Sequence, residues 1–320
     1  MLDRRTNVGH TETASLYNVD SPGLQTWPGS CPKFPVRQIR ILFGVLVMGL
    51  LCHAFTPNAV LLFSLNRLII PPIPCTIERY SGVLTAELFV VDYQNRERPV
   101  IFCEADAEFG RATTREALLS TIGGLQLKTL DTRRSHTDSL KYRKDSEQTM
   151  TLHEYMKNNV LNDMPHANGL FHGNYHGAGW DKFLERYHPV FEENLDGEYD
   201  HDNDVQIRHV FGVAGMNSGT FWHKHGPAFS HTLIGRKAWF VYPRGKQPPI
   251  GSSEDMWSSV AWFWNTFGDL ASEEKPQTCV VEAGEVLYVP GNFYHQTINL
   301  ATYNSFLSVF AQVVLQQDNI

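Results

Sequence analysis

The sequence has too little positive charge to suggest a nucleic-acid partner. Its 320 residues contain 27 Lys and Arg against 34 Asp and Glu, which gives a formal net charge of −7. Binding to a phosphate backbone needs an excess of basic side chains, so this balance argues against nucleic acid as a ligand. The one basic stretch, residues 133–144, is interspersed with polar and acidic residues and is predicted to be a solvated loop.

Cysteine is also scarce, and no two cysteines have the spacing of a CxxC pair. A structural zinc site is therefore not predicted. Two of the five cysteines, Cys31 and Cys52, lie in an N-terminal extension. The other three are Cys75, Cys103 and Cys279, so we expect at most one disulfide among them and one free thiol. The spacing does not select the pair. Internal repeats are absent too, so nothing indicates a repeat architecture.

Aromatic and apolar side chains, in contrast, are plentiful. Hydrophobic residues make up 42% of the chain and charged residues 19%, and there are 19 Phe, 12 Tyr and 7 Trp. This is the composition of an ordinary globular protein. Flat rings fill the space between packed sheets well, so the aromatic content favours a sandwich or barrel core.

The N-terminal part combines a polar tail with one apolar segment. Residues 1–40 are mostly polar and are predicted to be a disordered cytosolic tail. The apolar run 41–52 is too short to cross a bilayer, but extended to residue 63 the segment has 23 residues and is long enough. Residues 64–79 contain prolines at 71, 72 and 74 and are predicted to be a stiff linker.

Three interpretations of segment 41–63 stay open: a signal anchor, a cleaved signal peptide, or no membrane role. Lys33, Arg37 and Arg40 precede the segment and Arg67 is the next basic residue. The positive-inside rule then keeps the tail in the cytosol. We therefore predict a single-pass, membrane-anchored protein whose folded part lies in the lumen of the endoplasmic reticulum or secretory pathway. The sequence has neither an N-x-Ser/Thr acceptor nor a C-terminal Lys-Asp-Glu-Leu signal to support this prediction.

Residues 80–200 are predicted to be rich in helix. Residues 84–93 have helical spacing of apolar side chains. Thr113 and Thr151 each stand three residues before a Glu, the spacing of a capping box, so each is expected to open a helix.

From residue 205 the hydrophobic period changes to that of β-strands. Seven short alternating or apolar runs are separated by Gly, Pro and Asn, with one helical insertion at 253–267. This pattern is typical of an antiparallel sandwich. We therefore predict a mainly β fold with a helical N-terminal part, in which residues 205–313 form a double-stranded β-helix, or jelly-roll barrel.

His223, His225 and His295 form the candidate site. Side chains alternate along a strand, so His223 and His225 share one face. His295 begins a later strand. Three imidazoles that converge from two strands offer one face of an octahedral metal and leave the other positions open. Chance pairing in a chain with 14 His is the alternative.

The context of these histidines resembles the cupin superfamily. Gly284, Pro290, His295 and Asn299 match the spacing of its second motif, and His223-x-His225 matches the core of its first. Two further segments resemble the jumonji-C (JmjC) family within it. Residues 235–243, Gly-Arg-Lys-Ala-Trp-Phe-Val-Tyr-Pro, resemble that family's lysine-bearing strand, and residues 98–101, Arg-Pro-Val-Ile, resemble its entry strand.

The resemblance implies a fold, cofactors and residue roles. Active JmjC proteins bind Fe(II) through a His-x-Asp/Glu pair and a distant His, bind 2-oxoglutarate, and oxidise a protein side chain or a methyl group. By position, His223 and His295 are metal ligands. Lys237 and Thr220 are expected to hold the far carboxylate of 2-oxoglutarate. The partner is then a protein. Few residues follow the last strand, which favours a monomer.

The departure from the family is at His225, where the resemblance leads us to expect Asp or Glu. Residues 217–231 contain no acid that replaces it. A neutral nitrogen ligand instead of a carboxylate leaves the site more positive by one charge. Three hypotheses follow: an Fe(II)- and 2-oxoglutarate-dependent protein hydroxylase, a JmjC interaction module without turnover, and a three-histidine dioxygenase of cupin type.

Overall fold

Two sheets form the frame of the molecule. The computed structural model describes residues 70–82, 84–103, 107–131, 147–160, 169–173, 177–189, 205–252 and 258–313. In spatial order the large sheet contains β1 (Glu78–Arg79), β2 (Val100–Cys103), β10 (Glu285–Val289), β7 (Ala228–Ile234), β12 (Asn304–Val313), β6 (Val205–Ala214), β5 (Gly169–Gly173), β3 (Gln126–Asp131) and β4 (Glu147–Thr151). The small sheet contains β11 (Tyr294–Asn299), β8 (Arg236–Tyr242) and β9 (Gln277–Glu282).

Strand pairing is antiparallel throughout these two sheets except between β1 and β2. Residues 217–223 run along the free edge of β11 without forming a regular strand. Their backbone bonds join Asn217 and Ser218 to Asn299, Thr220 to Thr297, and His223 to His295. The small sheet is thereby widened by one irregular strand, and its edge carries the first histidine of the candidate site.

Helices cover the outer face of the large sheet. They are α1 (Ala86–Phe89), followed by a π-helical turn (Val90–Gln94), α2 (Ala107–Ala112), α3 (Arg115–Ile122), α4 (Leu152–Tyr155), followed by a second π-helical turn (Met156–Val160), and α5 (Ala178–Leu184). Helix α6 (Ser259–Asn265) and a 3-10 turn (Phe267–Asp269) lie on the small sheet. The helical spacing of residues 84–93 is thus confirmed. The helical insertion predicted at 253–267 is confirmed over Ser259–Asn265 and Phe267–Asp269, while residues 253–257 lie outside the described residues.

Two helix caps test the capping-box predictions. Thr151 forms the predicted box, in which its hydroxyl accepts from Glu154 N at 3.2 Å and the Glu154 carboxylate accepts from Thr151 N at 2.8 Å. The prediction at Thr113 is wrong by one residue, because Thr114 caps α3. Thr113 is fully buried, and its hydroxyl donates to Gly110 O at the end of α2 instead.

Among the described residues, three apolar clusters have more than two members. The largest lies between the helices and the outer face of the large sheet, where Phe109 packs on Phe183 and Tyr187, and Phe183 packs on Phe211. The second lies between the two sheets and the third between the small sheet and α6. This strand-rich, two-sheet architecture confirms the predicted mainly β jelly-roll fold. It adds β4 and β5, which lie in the part that we predicted to be rich in helix.

A disulfide joins Cys75 to Cys279 across 204 residues of sequence and ties the chain before β1 to β9. This is one of the three pairings that the sequence left open. Cys103 is disulfide-bonded as well, so the expectation of a free third thiol is wrong.

The predicted membrane anchor requires a correction. Within the described ranges, no helix is both long and apolar enough to cross a bilayer, a finding that overturns the single-pass, lumenal localisation. The tail 1–40, the segment 41–63 and the basic stretch 133–144 all lie outside the described residues, so their predicted structure has no counterpart in this description.

Candidate metal centre

The three histidines meet because residues 217–223 run antiparallel to β11. His223 N donates to His295 O at 3.1 Å, and His295 N donates to His223 O at 2.9 Å. Gly219 makes the close approach possible, since a Cβ there would lie 1.8 Å from Thr297 O. The chain then turns, and Asn292 N donates to His225 O at 2.7 Å, which holds His225 over the same end of the strand.

The three imidazole rings form a compact cluster. Ring centroids are 4.2 Å apart for His223 and His295, 4.6 Å for His225 and His295, and 5.3 Å for His223 and His225. One nitrogen from each ring lies within 4.8 Å of the other two. His295 is 3% exposed, and Phe310 of β12 packs edge-on against His225 at 4.8 Å. The structure therefore brings together all three histidines singled out from the sequence.

The same backbone contact orients each ring. Nδ1 donates to a main-chain carbonyl in every case: His223 to Phe221 O at 2.7 Å, His225 to Gly226 O at 2.7 Å, and His295 to Phe293 O at 2.9 Å. A carbonyl oxygen only accepts, so Nδ1 carries the proton and Nε2 keeps its lone pair. Fixing of the ring and tautomer by a bond to the second nitrogen is the usual arrangement of a histidine that binds a metal.

Burial keeps the cluster neutral. Desolvation lowers the pKa of His223 to about 4, with smaller contributions from His225 and from the positive charge of Lys237. Desolvation also lowers the pKa of His225, and it lowers that of His295 well below its usual value. Neutral imidazoles are the form that binds metals, so three lone pairs are available near pH 7.

This donor set fits a first-row transition metal. Imidazole suits iron, zinc, copper and nickel, and three ligands on one side leave the remaining positions open. The histidines would hold the ion through Nε2, without an anionic ligand from the described part of residues 217–231. The residues present therefore fit the metal that the JmjC resemblance implies, with one fewer negative charge than the family pattern supplies.

Lys237 lies inside the sandwich, on the same face of the small sheet as the histidines. It is 3% exposed, and its ammonium nitrogen is 3.4 Å from the ring centroid of Phe306 on the opposite sheet and 5.2 Å from that of Trp239. Burial lowers the pKa of Lys237 to about 7. Within the described ranges no hydrogen bond or ion pair involves this ammonium. A buried cation without an anion is costly, which indicates a place for a negatively charged ligand.

Thr220 lies between Lys237 and the histidines. On β8 and β11 the inner face presents three facing pairs: Val241 with His295, Trp239 with Thr297, and Lys237 with Asn299. The Thr220 hydroxyl is 2.9 Å from the Thr297 hydroxyl, which puts it in the middle row. Residues two apart on a strand are about 7 Å apart, so the histidine row and the lysine row are about 14 Å apart with Thr220 between them. The space between these rows and the large sheet is called the cavity.

Unpaired polar atoms mark the same cavity. In the described structure, Trp239 Nε1 and Asn299 Oδ1 are buried without a hydrogen-bond partner. The Asn299 amide nitrogen is used, since it donates to Ser218 O and to the Ser218 hydroxyl, both at 3.1 Å. Native interiors leave few such groups, so the two beside Lys237 are available to a polar ligand.

One residue of this cavity escaped sequence analysis. Thr297 lies in the middle row and contacts Thr220 directly. Threonine is common in strands for reasons of packing alone, so its identity carried no signal. The one sequence signal for Thr297 was the alternation of side chains along β11, which puts residues 295, 297 and 299 on the same face.

The fold and the cluster define a cupin-type jelly roll with a three-histidine candidate metal centre. No family model matches the chain. Individual relatives do. The human JmjC domain-containing protein 8 is 32% identical over 240 residues, which cover 74% of this chain and 83% of the relative. The rat protein of the same name is 30% identical over 240 residues, 74% of this chain and 82% of the relative.

A third relative has a different name and a shorter match. The arginine-specific demethylase JMJ22 of Arabidopsis thaliana is 32% identical over 152 residues, 39% of this chain and 30% of the relative. At this identity and coverage, the two longer matches settle the family. The chain belongs to the JmjC domain family, as its motifs indicated.

Proposed function

We propose that this chain is an Fe(II)- and 2-oxoglutarate-dependent oxygenase that acts on a protein side chain. The observation that carries the proposal is the orientation of the three histidines. His223, His225 and His295 each bind a carbonyl through Nδ1, and their remaining nitrogens lie within 4.8 Å of one another. Three oriented lone pairs on one side of a buried site are what a reactive metal with open positions requires.

The assignment of 2-oxoglutarate rests on charge and spacing. The ligand is a dianion whose two carboxylates are separated by a short carbon chain. Lys237 provides a buried cation without an anion in the described structure, and Thr220 provides a hydroxyl between that cation and the histidines. A carboxylate against Lys237 would remove the cost of the buried ammonium. The other end of the ligand would then face the histidine row.

The chain's own residues would bind and orient the reactants. When bound, iron and 2-oxoglutarate supply the oxidising chemistry. Trp239 and Phe306 flank the Lys237 ammonium and exclude water from it. Phe310 borders His225, the most accessible of the three histidines, so a substrate would approach from that side. We propose a protein as that substrate and a monomer as the working state.

A second candidate function is a JmjC module that binds its ligands without turnover. The observation that favours it is His225. A carboxylate at this position would donate negative charge to an oxidised metal, whereas a neutral imidazole donates none. The dianion would bind at least as well, because the metal site keeps more positive charge. A three-histidine dioxygenase that uses no 2-oxoglutarate leaves Lys237 without a partner, so we rank it third.

Iron uptake tests the site itself. The full chain is titrated with Fe(II) under anaerobic conditions, together with His295→Ala and His225→Ala. We expect His295→Ala to weaken iron binding by at least about a hundredfold, and His225→Ala to weaken it by roughly tenfold or more. His153→Ala, an exposed histidine on α4, is the matched control and should bind as the parent does. If His225→Ala matches that control, His225 is not a ligand.

Succinate formation separates the two candidate functions. The iron-loaded chain is incubated with O₂ and 2-oxoglutarate, and succinate is measured beside His225→Asp, which restores the family's carboxylate. Succinate from the parent chain supports the oxygenase. Succinate only from His225→Asp supports the binding module. If neither protein forms succinate although both bind iron, the oxygenase proposal is wrong.

A further inference from the structure

Thr297 contacts Thr220 at three points. Thr220 N donates to the Thr297 hydroxyl at 3.1 Å, the two hydroxyls are 2.9 Å apart, and Thr297 N donates to Thr220 O at 2.9 Å. On the other side, the Ser259 hydroxyl of α6 donates to Thr220 O at 2.8 Å. Thr297 is 1% exposed, so water does not compete for its hydroxyl. Thr220 is thus held from both faces of the small sheet.

Either hydroxyl can donate at the 2.9 Å contact, and a bound ligand would select between the two directions. The Thr297 hydroxyl accepts the Thr220 N–H and has one proton of its own to donate. The neighbouring Thr220 hydroxyl is the acceptor within reach, at 2.9 Å. When a ligand carboxylate accepts the proton of the Thr220 hydroxyl, the Thr297 hydroxyl would donate to the Thr220 oxygen. Bonds in such a chain strengthen one another, because each donor polarises the next.

We propose that Thr297 is a positioning residue that directs the Thr220 hydroxyl proton at the far carboxylate of 2-oxoglutarate. This inference rests on the proposed function and deepens it, since it concerns which end of the ligand the site selects. The pair of hydroxyls and Lys237 together form a subsite for a second carboxylate. A 2-oxo acid without that carboxylate would use only the histidine end of the cavity.

The hydroxyl contact between Thr297 and Thr220 is not required to hold the two segments of the sheet together. The backbone bond from Thr297 N to Thr220 O already joins the two segments, and valine has the same β-branched shape as threonine. A valine at position 297 would keep the strand and the packing against Trp239. It would remove only the acceptor for Thr220 N and the donor to the Thr220 hydroxyl. Thr297→Val therefore isolates the hydroxyl.

Ligand affinity of the full chain, loaded with Mn(II) as a redox-inactive metal, provides the test. Isothermal titration calorimetry measures the dissociation constants of 2-oxoglutarate and of 2-oxobutyrate, which keeps the 2-oxo acid end and lacks the far carboxylate. We expect Thr297→Val to raise the constant for 2-oxoglutarate roughly tenfold, as for loss of an aligned hydrogen bond to a charged group. The constants for 2-oxobutyrate and Mn(II) should not change, and Thr297→Ser should behave as the parent.

Coupling to Thr220 completes the test. If Thr297 acts through Thr220, then Thr220→Val alone and Thr220→Val combined with Thr297→Val should lose the same affinity for 2-oxoglutarate. Once the Thr220 hydroxyl is absent, removal of the Thr297 hydroxyl should have no further effect. Equal losses for both 2-oxo acids would indicate a structural role and overturn the inference. So would unchanged affinity for 2-oxoglutarate in Thr297→Val. If the parent chain binds Mn(II) but neither 2-oxo acid, the proposed function fails and this inference fails with it.

Discussion

On one face of β8 and β11, Ala238, Phe240 and Ile298 pack beneath helix α6 with no exposed surface. On the other face of the same strands, Lys237, Thr297 and the histidine cluster line the space between the sheets. The same backbone carries both faces, because neighbouring residues of a strand point to opposite sides of the sheet. The apolar face stabilises the fold. The polar face retains a buried cation, which stability alone does not explain.

The largest expected effect is on the apolar face. Phe240→Ala should lower the free energy of unfolding by about 3–5 kcal/mol, since it leaves a cavity against Trp262 and Phe263. Urea denaturation measures this loss. Iron affinity, measured well below the unfolding transition, should not change, because the ring points away from the histidines. If the alanine variant does not fold, Phe240→Leu provides the same comparison with a smaller loss.

The opposite sign is expected at Lys237. Lys237→Met should raise the free energy of unfolding of the metal-free chain by roughly 1–3 kcal/mol, because it removes a buried cation that has no anion in the described structure. The same change should abolish binding of 2-oxoglutarate. Arg236→Met, at an exposed neighbour on the same strand, is the control and should alter neither quantity by more than a few tenths.

The gain in the free energy of unfolding that Lys237→Met provides should depend on pH between about 7 and 10.5. The pKa of Lys237 falls from 10.5 to about 7 on folding, so between these values the unfolded chain binds more protons than the folded one. Stability of the parent therefore rises with pH across this window. The difference between the variant and the parent should be greatest at pH 7 and below, and should shrink as pH approaches 10.5. A constant difference would contradict the burial of a charged lysine.

The smallest effect concerns Gln296, a polar residue on the apolar face. It has no exposed surface, and neither atom of its amide has a partner within the described residues. Gln296→Met should stabilise the chain by about 1 kcal/mol without changing the affinity for iron or 2-oxoglutarate. Gln277→Met, an exposed position on β9, is the control. Destabilisation by Gln296→Met would show that the amide holds a buried water or another group.

Sequence periodicity identified most of the β-sheet because buried strands alternate their side chains. The seven runs that became β6, β7, β8, β9, β10, β11 and β12 were recognisable, and so was the Thr151 capping box. The short strands β4 and β5 were not recognisable. β5 is held between β3 and β6, and β4 pairs with β3, so tertiary pairing rather than an apolar alternation of their own defines them. The choice between Thr113 and Thr114 as a cap depended on tertiary structure, because the Thr113 hydroxyl is buried 2.9 Å from the hydroxyl of Ser305.

The site was accessible from sequence only in part. Motif spacing pointed to His223, His295 and Lys237, and strand alternation pointed to His225. The backbone carbonyls that orient each imidazole have no sequence signature, because every residue has a carbonyl. Thr297 could not be identified from the sequence, because threonine is common in strands of every kind. Which two cysteines pair was also open, since only the fold brings Cys75 next to Cys279.

The covalent bond between these two cysteines also makes a prediction about fragments of the chain. Every loop from residue 76 to residue 278 lies inside the closed circle that the bond creates. A single cut by a protease within this disulfide-closed loop releases no fragment, because the disulfide still joins the two parts of the chain. The nicked protein would migrate as one species on a denaturing gel until a reductant is added, and as separate fragments afterwards.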